Sequence, residues 1–486
     1  MWTRRGFMKK TLKAGAALAA GPAMMGRAEA NASFAVRLAG APPVEIPSSF
    51  TGLGYEMSSV ATPGLLSAGN HRYVELVRGL GPRGVLRAGG IVANYTRYIP
   101  DGTAQDERQN TVITRASLDR FAAFLETTGW KAIWSVNFAQ GTVDEAVAEA
   151  RAVQEALGER LLALEIGNEV DTYGRGQPFR AAAYDYATYR REYDAWHAAL
   201  ARAVPGIRFA APDTASSVDW VEQMARSAHG EVQLLTTHYY RNGQKRGDAD
   251  QLLTPDPRLK DIAVRMRAAA DQSGIPWRMC EINSFSGGGR PGVSDTFVGA
   301  LWTLNTMLLL AQHGCSGVNM ETGVNQLGFV SSYSPIQDDG QGVNSAGVPY
   351  YGMLAFAAAF AGCNQLLPLR DASPTGTLAA YALGAEGVAR SVVVVNTDRA
   401  SDARVSLDAL QLDAHKRGGH EADRVEVLRL TAPAADSTTG VSLGGAAVDA
   451  AGRWKPARRE WLSGATVEVA RMSAVVARVA AGRDGV

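Results

Sequence analysis

The 486-residue chain has few of the features that mark several protein classes. It has only three cysteines, Cys280, Cys315 and Cys363, and no CxxC pair, which argues against a disulfide framework and against a cysteine-based metal site. We interpret them as small buried apolar residues. Beyond the N-terminal segment, no apolar run reaches the ~20 residues that a membrane span needs. The run that comes nearest to this length, at 297–310, is interrupted by polar residues. No internal repeat and no long low-complexity tract occurs, so a repeat architecture is excluded.

An excess of charge of one sign is also missing. The formal net charge is +1, and removing residues 1–30 takes away six basic residues and one acidic residue, leaving 43 basic, 47 acidic and a net charge of −4. A mildly acidic chain is not typical of proteins that bind nucleic acid or a membrane through a basic surface. We predict no nucleic-acid partner and no membrane span in the mature protein.

The N-terminus has the three parts of an export signal in order. The segment Thr3-Arg-Arg-Gly-Phe-Met-Lys-Lys10 resembles the twin-arginine pattern, an apolar run follows at 14–20, and Ala28-Glu-Ala30 fits a cleavage site. The alternative is a basic disordered tail. We predict a twin-arginine signal peptide at 1–30 and therefore a periplasmic or secreted protein.

Between residues 50 and 361, short apolar strands alternate with amphipathic helices. The predicted strands are 50–56, 84–88, 131–137, 162–168, 207–212, 232–240, 276–284 and 317–322. The predicted helices include 117–128, 143–157, 186–203, 218–228, 257–272 and 294–313, with Thr142 and Glu145 as a capping box. This alternation predicts an α/β fold, a (β/α)₈ TIM barrel over 49–362. A doubly wound open sheet is the alternative, and the lack of a Gly-rich loop after the first strand counts against it.

After residue 365 the pattern changes to short Val-rich runs between turn residues. These runs, at 378–383, 389–396, 403–407, 424–430, 466–471 and 473–479, predict a C-terminal antiparallel β-sandwich over 363–486. The strand-like segment 31–48 is predicted to join that sandwich.

Two glutamates stand at the ends of apolar strands. Glu169 follows Asn168 after the fourth strand, and Glu281 ends the seventh. A retaining glycosidase needs two such carboxyls, one as general acid/base and one as nucleophile. His238 or Tyr240, on the sixth strand, could donate a hydrogen bond to Glu281.

Each glutamate also has a purely structural explanation. Asn168-Glu169 could be a capping Asn followed by a surface Glu, and Glu281 could form a salt bridge with Arg87 or Arg278. Active sites of TIM barrels lie at the C-terminal ends of the strands. The polar residues at those ends therefore predict a sugar-binding floor: Glu56, Asn94, Asn137, Asn168, Glu169, Asp213, His238, Tyr240, Glu281 and Glu321.

Four motifs together carry a family resemblance. They are Leu86-Arg-x-Gly-Gly90, Asn168-Glu169, His238-Tyr-Tyr-x-Asn-Gly243, and Glu281-x-x-Ser-x-x-Gly-Gly-Gly289 followed by Ser294-Asp-Thr-Phe297. In this order they resemble the heparanase and β-glucuronidase family of retaining glycoside hydrolases, family 79. The resemblance runs from about residue 50 to 362, and the trailing sandwich fits the layout of that family.

The resemblance implies a β-glucuronidase-type hydrolase with a glucuronide-containing oligosaccharide or glycoside as substrate, and with no cofactor or metal. It implies that Glu169 is the acid/base and Glu281 the nucleophile. Substrate-binding roles are implied for the remaining matched positions: Glu56 for the outer hydroxyls, Asn168 for the 2-hydroxyl, the backbone N–H groups of Gly287 and Gly288 for the uronate carboxylate, and Tyr333 in support of it.

The sequence departs from the family pattern at two positions. Ser286 stands where a tyrosine usually helps to hold the carboxylate, and Asn94 where an aspartate is common. Two alternatives therefore stay open: a hydrolase of the same clan that acts on a neutral sugar, and a non-catalytic carbohydrate-binding barrel. Arg241, Lys245, Arg246 and Arg290 could line a cleft for endo-cleavage of an anionic polymer, or could be solvated surface charge.

Overall fold

The computed structural model describes residues 32–176, 178–228, 230–323, 331–338, 343–410, 412 and 424–479. The predicted signal peptide at 1–30 lies outside these residues.

Eight parallel strands close into a barrel. In chain order they are β1 Gly52–Glu56, β2 Val85–Gly89, β3 Lys131–Val136, β4 Leu161–Ile166, β5 Phe209–Thr214, β6 Leu234–Gly243, β7 Trp277–Ser286 and β8 Val318–Glu321. Each strand pairs with the next, and β8 pairs with β1. This closure confirms the predicted TIM barrel and excludes the open doubly wound sheet.

A helix follows each barrel strand. These helices are α1 His71–Gly79, α2 Arg115–Thr128, α3 Val143–Leu157, α4 Tyr186–Ala203, α5 Val218–Ser227, α6 Pro257–Ser273, α7 Phe297–Gln312 and α8 Val348–Phe360; Ser58–Ala61 and Ala249–Leu253 are shorter. The capping box of Thr142 and Glu145 is confirmed at the start of α3. The predicted start at residue 117 is two residues late, because the hydroxyl of Thr114 accepts from the N–H of Ser117 and acts as the N-cap.

The strands of the barrel differ in length. β6 and β7 are ten residues each, whereas β1 and β8 have five and four. Their extra residues pair to the end, with Gly243 opposite Ser286. β6 and β7 therefore continue beyond the predicted ends at 240 and 284.

Two loop segments on the same face carry their own strands. The loop between β2 and α2 contains a 3₁₀ turn, Ile91–Tyr95, and a three-stranded sheet of Arg97–Tyr98, Gln105–Glu107 and Asn110–Ile113. In the loop between β8 and α8, Ile336–Asp338 pairs with Asn344–Ala346.

The C-terminal region consists of two sheets. The strands of the larger sheet are Val44–Glu45, Gln365–Leu367, Leu378–Ala385, Val388–Asn396, Val425–Thr431, Ser442–Leu443, Glu460–Trp461 and Ser473–Val479; the smaller sheet contains Ala32–Ala35, Ala403–Ser406 and Thr466–Val469. Alternate residues such as Val392, Val394, Val405 and Val467 form a separate apolar core. The predicted sandwich is therefore confirmed as a fold, while the boundaries at 31–48, 49–362 and 363–486 stay predictions.

Among the described residues, no helix is both long enough and apolar enough to cross a membrane.

Candidate active site

The two candidate catalytic glutamates meet at the C-terminal face of the barrel. A carboxyl oxygen of Glu169 and one of Glu281 lie within 4.8 Å of each other, and a ring nitrogen of His238 lies within the same distance of both. Retaining glycosidases have their two carboxyl groups about 5–5.5 Å apart, and inverting ones about 6.5–9.5 Å. The spacing therefore fits a double displacement, in which no water has to enter between a carboxylate and the sugar in the first step.

A turn in an uncommon backbone conformation presents Glu169. Its φ is +52°, directly after β4 and before the 3₁₀ turn Val170–Thr172. A non-glycine residue pays about 1–2 kcal/mol for this left-handed conformation. Such strain is typical of functional positions, where the surrounding structure holds one side chain in a required direction.

Glu281 is hydrogen-bonded on both carboxyl oxygens. The Tyr240 hydroxyl donates to Oε1 at 2.7 Å, and Arg87 Nη1 donates to Oε2 at 2.8 Å. Tyr240 thus makes the predicted contact, and Arg87 makes the salt bridge that was the alternative explanation. Arg278 instead binds Asn319 and backbone carbonyls. Two donors, one of them charged, stabilise the carboxylate form that a nucleophile needs.

Arg87 connects most of the charged groups below the site. Its fully buried guanidinium donates to Glu165 at 3.0 Å, to Asp213 at 2.6 Å and to the Asn168 side-chain oxygen at 2.7 Å, besides Glu281. Burial lowers the pKa of Arg87, but the surrounding carboxylates outweigh it and raise that pKa well above its usual range. The sequence signal for this role was an arginine within an apolar strand, which is expensive to bury unless it is paired.

His238 lies between the two glutamates and Asp213. Its Nε2 is 2.9 Å from Asp213, and its Nδ1 is 3.4 Å from Glu169 and 3.7 Å from Glu281. Burial lowers the pKa of His238, but Asp213 and Glu281 raise it further, to well above its ordinary value. The ring is therefore an imidazolium that donates to Asp213 and, through Nδ1–H, to Glu169.

Glu169 has the environment of a proton donor. Burial and the charge of Glu281 raise its pKa, while the hydrogen bond and the charge of His238 lower it. Its side chain is 22% exposed, compared with 10% for Glu281. A carboxyl that keeps its proton and remains accessible can protonate a departing oxygen.

Two further carboxyls lie beside Glu281. Glu56 accepts the backbone N–H of Val92 at 2.8 Å, and burial together with the charge of Glu281 raises its pKa to about 8. Glu321 is buried, has no hydrogen-bond partner on either oxygen among the described residues, and has a pKa raised well above normal by burial and by Glu281. Burial and the nearby Glu281 therefore shift both groups toward the protonated form.

A cavity of about 640 Å³ opens over these groups. Eight of the residues predicted for the site line it: Glu56, Glu169, Tyr240, Glu281, Ser286, Gly287, Gly288 and Tyr333. The other six do not line it: Asn94, Asn168, Asp213, His238 and Glu321 are buried, and Asn137 lines a neighbouring pocket.

The roles of the two asparagines differ. The Asn94 side-chain oxygen accepts the Tyr173 hydroxyl at 2.7 Å, so this residue supports the loops. The Asn168 side-chain oxygen accepts from Arg87, and its Nδ2 has no partner within the described part of the chain. A buried amide N–H₂ without an acceptor is costly, so Asn168 is suited to donate to a ligand hydroxyl.

The loop after β7 forms one wall of the cavity. Gly287 and Gly288 have φ values of +83° and +90°, which side chains other than glycine rarely adopt. Next to them, the ring of Tyr333 stacks on that of Tyr240 with centroids 6.2 Å apart. Backbone N–H groups and phenols at one wall suit a polar or anionic substituent.

Four arginines also line the cavity: Arg108, Arg241, Arg246 and Arg258. Arg241 pairs with Asp256 at 2.6 Å, and Arg258 donates to the carbonyl of Tyr240. Arg108 and Arg246 are exposed. The sequence indicated Arg241 and Arg246; Lys245 and Arg290 do not line the cavity, and Arg108 and Arg258 were missed because nothing in their local pattern marks them.

Two groups of side chains have the spacing of a metal site in the described residues. They are Glu165, Asp213 and Cys280, and Glu169, His238 and Glu281. Arg87 donates to a carboxylate in each group, and His238 is protonated. The positive charge that these carboxylates require is therefore already supplied by side chains, and the donor set does not fit a metal ion.

Three comparisons place these features among known proteins. Residues 380–482 match the model of the glycosyl hydrolase family 79 C-terminal beta domain. A β-glucuronidase from Aspergillus niger is 23% identical over 420 residues, which cover 75% of each chain. The fold is similar to that of a 4-O-α-L-rhamnosyl-β-D-glucuronidase from Fusarium oxysporum 12S, with a TM-score of 0.72, 18% identity and coverage of 92% of this chain and 100% of the other. A family 51 arabinofuranosidase from Xanthomonas axonopodis pv. citri has the same fold at a TM-score of 0.63 and 16% identity, with coverage of 92% and 99%.

Proposed function

Since the chain belongs to glycoside hydrolase family 79, we propose that this hydrolase cleaves β-linked glucuronides with retention of configuration. The observation that carries the proposal is the approach of Glu169 and Glu281 to within 4.8 Å in a cavity that both line. We propose that Glu281, which has a hydrogen-bond donor on each oxygen, is the nucleophile, and that Glu169, whose pKa is raised by burial, is the acid/base.

In the first step Glu281 attacks the anomeric carbon, and Glu169 gives its proton to the leaving oxygen. A covalent glycosyl-enzyme forms and the aglycone departs. In the second step Glu169, now a carboxylate, takes a proton from water, which displaces Glu281 and releases the sugar. His238 remains a cation throughout and stabilises whichever glutamate is charged, since its Nδ1 lies close to both.

The cavity wall supports a uronate as the sugar. Gly287, Gly288 and Tyr333 offer hydrogen-bond donors, and the raised pKa values of Glu56 and Glu321 remove two negative charges that would repel a carboxylate. We propose that substrate binding brings the 2-hydroxyl to the buried, unpartnered Nδ2 of Asn168, a contact that strengthens in the transition state.

The test is a panel of 4-nitrophenyl β-glycosides: glucuronide, glucoside, galactoside and xyloside. We expect the glucuronide to have a kcat/KM at least about 100-fold above the neutral sugars, about 2.7 kcal/mol of discrimination. The first-formed anomer, followed by proton NMR, should be β. If a neutral sugar were the best substrate, the glucuronide proposal would be refuted and Ser286 would mark a different sugar specificity. An α anomer would refute the retaining mechanism.

A glycan-binding protein without turnover is the remaining alternative. It predicts no release of nitrophenol from any glycoside, together with binding that Glu281→Gln leaves unchanged. The β-glucuronide assay with wild-type protein separates the two functions directly.

We further propose that the protein is exported by the twin-arginine route. The support is the order of Arg4-Arg5, the apolar run and Ala28-Glu-Ala30 in the sequence. In a bacterium that has this route, the wild-type chain should be found processed outside the cytoplasm. Replacement of Arg4 and Arg5 by lysine should leave it unprocessed inside, and unchanged export of that variant would refute the proposal.

A further inference from the structure

A second pocket opens beside the cavity on the same face of the barrel. It has a volume of about 400 Å³, and its lining includes Tyr95, Tyr98, Asn110, Gln140 and Glu149. Gln140 lies beyond the C-terminal end of β3, and Glu149 belongs to α3. We call this the side pocket.

The loop between β2 and α2 is the wall that the two pockets share. Within this loop, Ile91 and Arg108 line the catalytic cavity, whereas Tyr95 and Gln109 line the side pocket. The side changes between consecutive residues, Arg108 and Gln109. A ligand in the side pocket therefore lies one loop thickness away from the proposed site of cleavage.

Glu149 is a buried acid that the proposed reaction does not use. It is only 4% exposed, and the indole N–H of Trp134 donates to its Oε1 at 2.8 Å. One neutral donor does not compensate a buried carboxylate, and burial raises its pKa to about 7. The Glu149 carboxyl can therefore accept further hydrogen bonds. Because Glu149 lines the side pocket, a ligand in the pocket can donate them.

The rest of the lining is aromatic and amide in character. Tyr95 and Tyr98 are half-buried, so part of each side chain is accessible to a ligand in the pocket. Asn110 holds Arg97 through its side-chain oxygen at 2.9 Å. Flat rings combined with amides and a carboxyl form the usual set for binding the apolar face and the hydroxyls of a sugar.

The two pockets differ in their balance of charge. The catalytic cavity is lined by four arginines and three glutamates, whereas the side pocket is lined by one arginine, Arg97, and by Glu145 and Glu149. Acidic side chains disfavour a uronate or a sulfated sugar. We propose that the side pocket is a second saccharide site, which binds an uncharged sugar unit next to the proposed glucuronide site. The proposed function enters only in the expectation that the ligand is a carbohydrate.

The indole N–H of Trp134 provides a readout inside the site. With ¹⁵N-labelled tryptophan, each indole N–H gives its own signal, and Trp134→Phe identifies the relevant one. The probes are methyl β-D-glucopyranoside, methyl β-D-galactopyranoside, methyl N-acetyl-β-D-glucosaminide and sodium glucuronate. We expect at least one neutral probe to shift the Trp134 signal in a saturable way, and glucuronate to leave it in place.

The matched variants are Tyr98→Phe, which keeps the ring, and Tyr98→Ala, which removes it. The phenylalanine variant should bind like wild type, and the alanine variant at least about 10-fold more weakly. The proposal is overturned if no neutral probe shifts the signal, if glucuronate shifts it equally, or if Tyr98→Ala binds unchanged. Hydrolysis does not enter this readout, so a failure here and a failure of the glucuronidase proposal are separate results.

Discussion

The ends of β4 and β7 place the same side chain in two different environments. Glu281 on β7 receives one donor on each oxygen, from Tyr240 and Arg87, and its side chain is 10% exposed. Glu169 on β4 has the more distant His238 and is 22% exposed. A carboxyl with strong donors stays ionised, whereas one that is desolvated beside a negative charge keeps its proton. We therefore expect the neighbours of the two glutamates to determine their proposed roles.

Removal of Glu281, the glutamate with a donor on each oxygen, should have the largest effect. Glu281→Gln keeps the size of the side chain and eliminates the nucleophile, so kcat for a β-glucuronide should fall more than about 10⁴-fold, at least about 5.5 kcal/mol. The matched control is Glu426→Gln, since Glu426 is also buried and paired with an arginine, Arg478, but lies in the sandwich. Equal losses in both variants would indicate unfolding.

The activity lost on removal of the proton donor should depend on the leaving group. Glu169→Gln should lose about 10²–10⁴-fold with a sugar or alkyl aglycone, and much less with 2,4-dinitrophenolate, which leaves without a proton. A series of aryl glucuronides with different leaving groups measures this dependence. If Glu281→Gln showed the leaving-group dependence and Glu169→Gln did not, the two roles would be reversed.

Arg87 can be tested as the common cation of three buried carboxyl groups. Arg87→Met leaves Glu165, Asp213 and Glu281 buried without their common cation, which should lower the free energy of unfolding by about 3–5 kcal/mol at pH 7. The loss should shrink as the pH falls, because protonation removes the unpaired charges. Urea unfolding at several pH values measures it.

Arg278→Met is the matched control for that variant. Arg278 is equally buried, but its partners are Asn319 and backbone carbonyls, which do not titrate. Its destabilisation should therefore stay constant with pH. A pH-dependent loss in both variants would contradict the role assigned to Arg87.

Much of the barrel was predictable because its signals are local. The apolar strands, the capping box of Thr142 and the polar residues at the strand ends can all be recognised in single segments. Helices α1 and α8 were missed. The first is short, and the second is apolar nearly all round, with eleven of its thirteen residues buried, so its sequence lacks the polar face that marks a helix.

The candidate site was harder to predict wherever a contact joins distant segments. The sequence indicated Glu169, Glu281 and Tyr240, but Arg87 with Glu165 and Asp213 is a contact between β2, β4 and β5 that no local pattern encodes. Arg108 reaches the cavity from a loop sheet that was not predicted either. Asn94 was predicted from its place after β2, yet its side chain turns to Tyr173.

A smaller effect is expected from the neutral donor to Glu281. Tyr240→Phe removes one hydrogen bond to a carboxylate, worth about 1.5–3 kcal/mol, and should lower kcat about 10–100-fold. Pre-steady-state kinetics identifies the step that is slowed. We expect it to be the attack of Glu281, since the hydrogen bond holds the nucleophile in place before this step. A wild-type rate in this variant would show that Arg87 alone orients Glu281.

The smallest change is expected in the pH profile of a His238 variant, since the His238 ring lies close to both glutamates. His238 lowers the pKa of Glu169 through its hydrogen bond and its charge, against the raising effect of burial. In His238→Gln the cation is gone, so the pKa of Glu169 should rise. Glu169 must be protonated in the first step, and activity is lost as the pH rises through its pKa. The alkaline limb of kcat/KM should therefore move upward by about one pH unit, or 1.4 kcal/mol. Tyr240→Phe, which bonds Glu281 instead, should leave that limb in place, and a downward movement in His238→Gln would contradict the role assigned to the imidazolium.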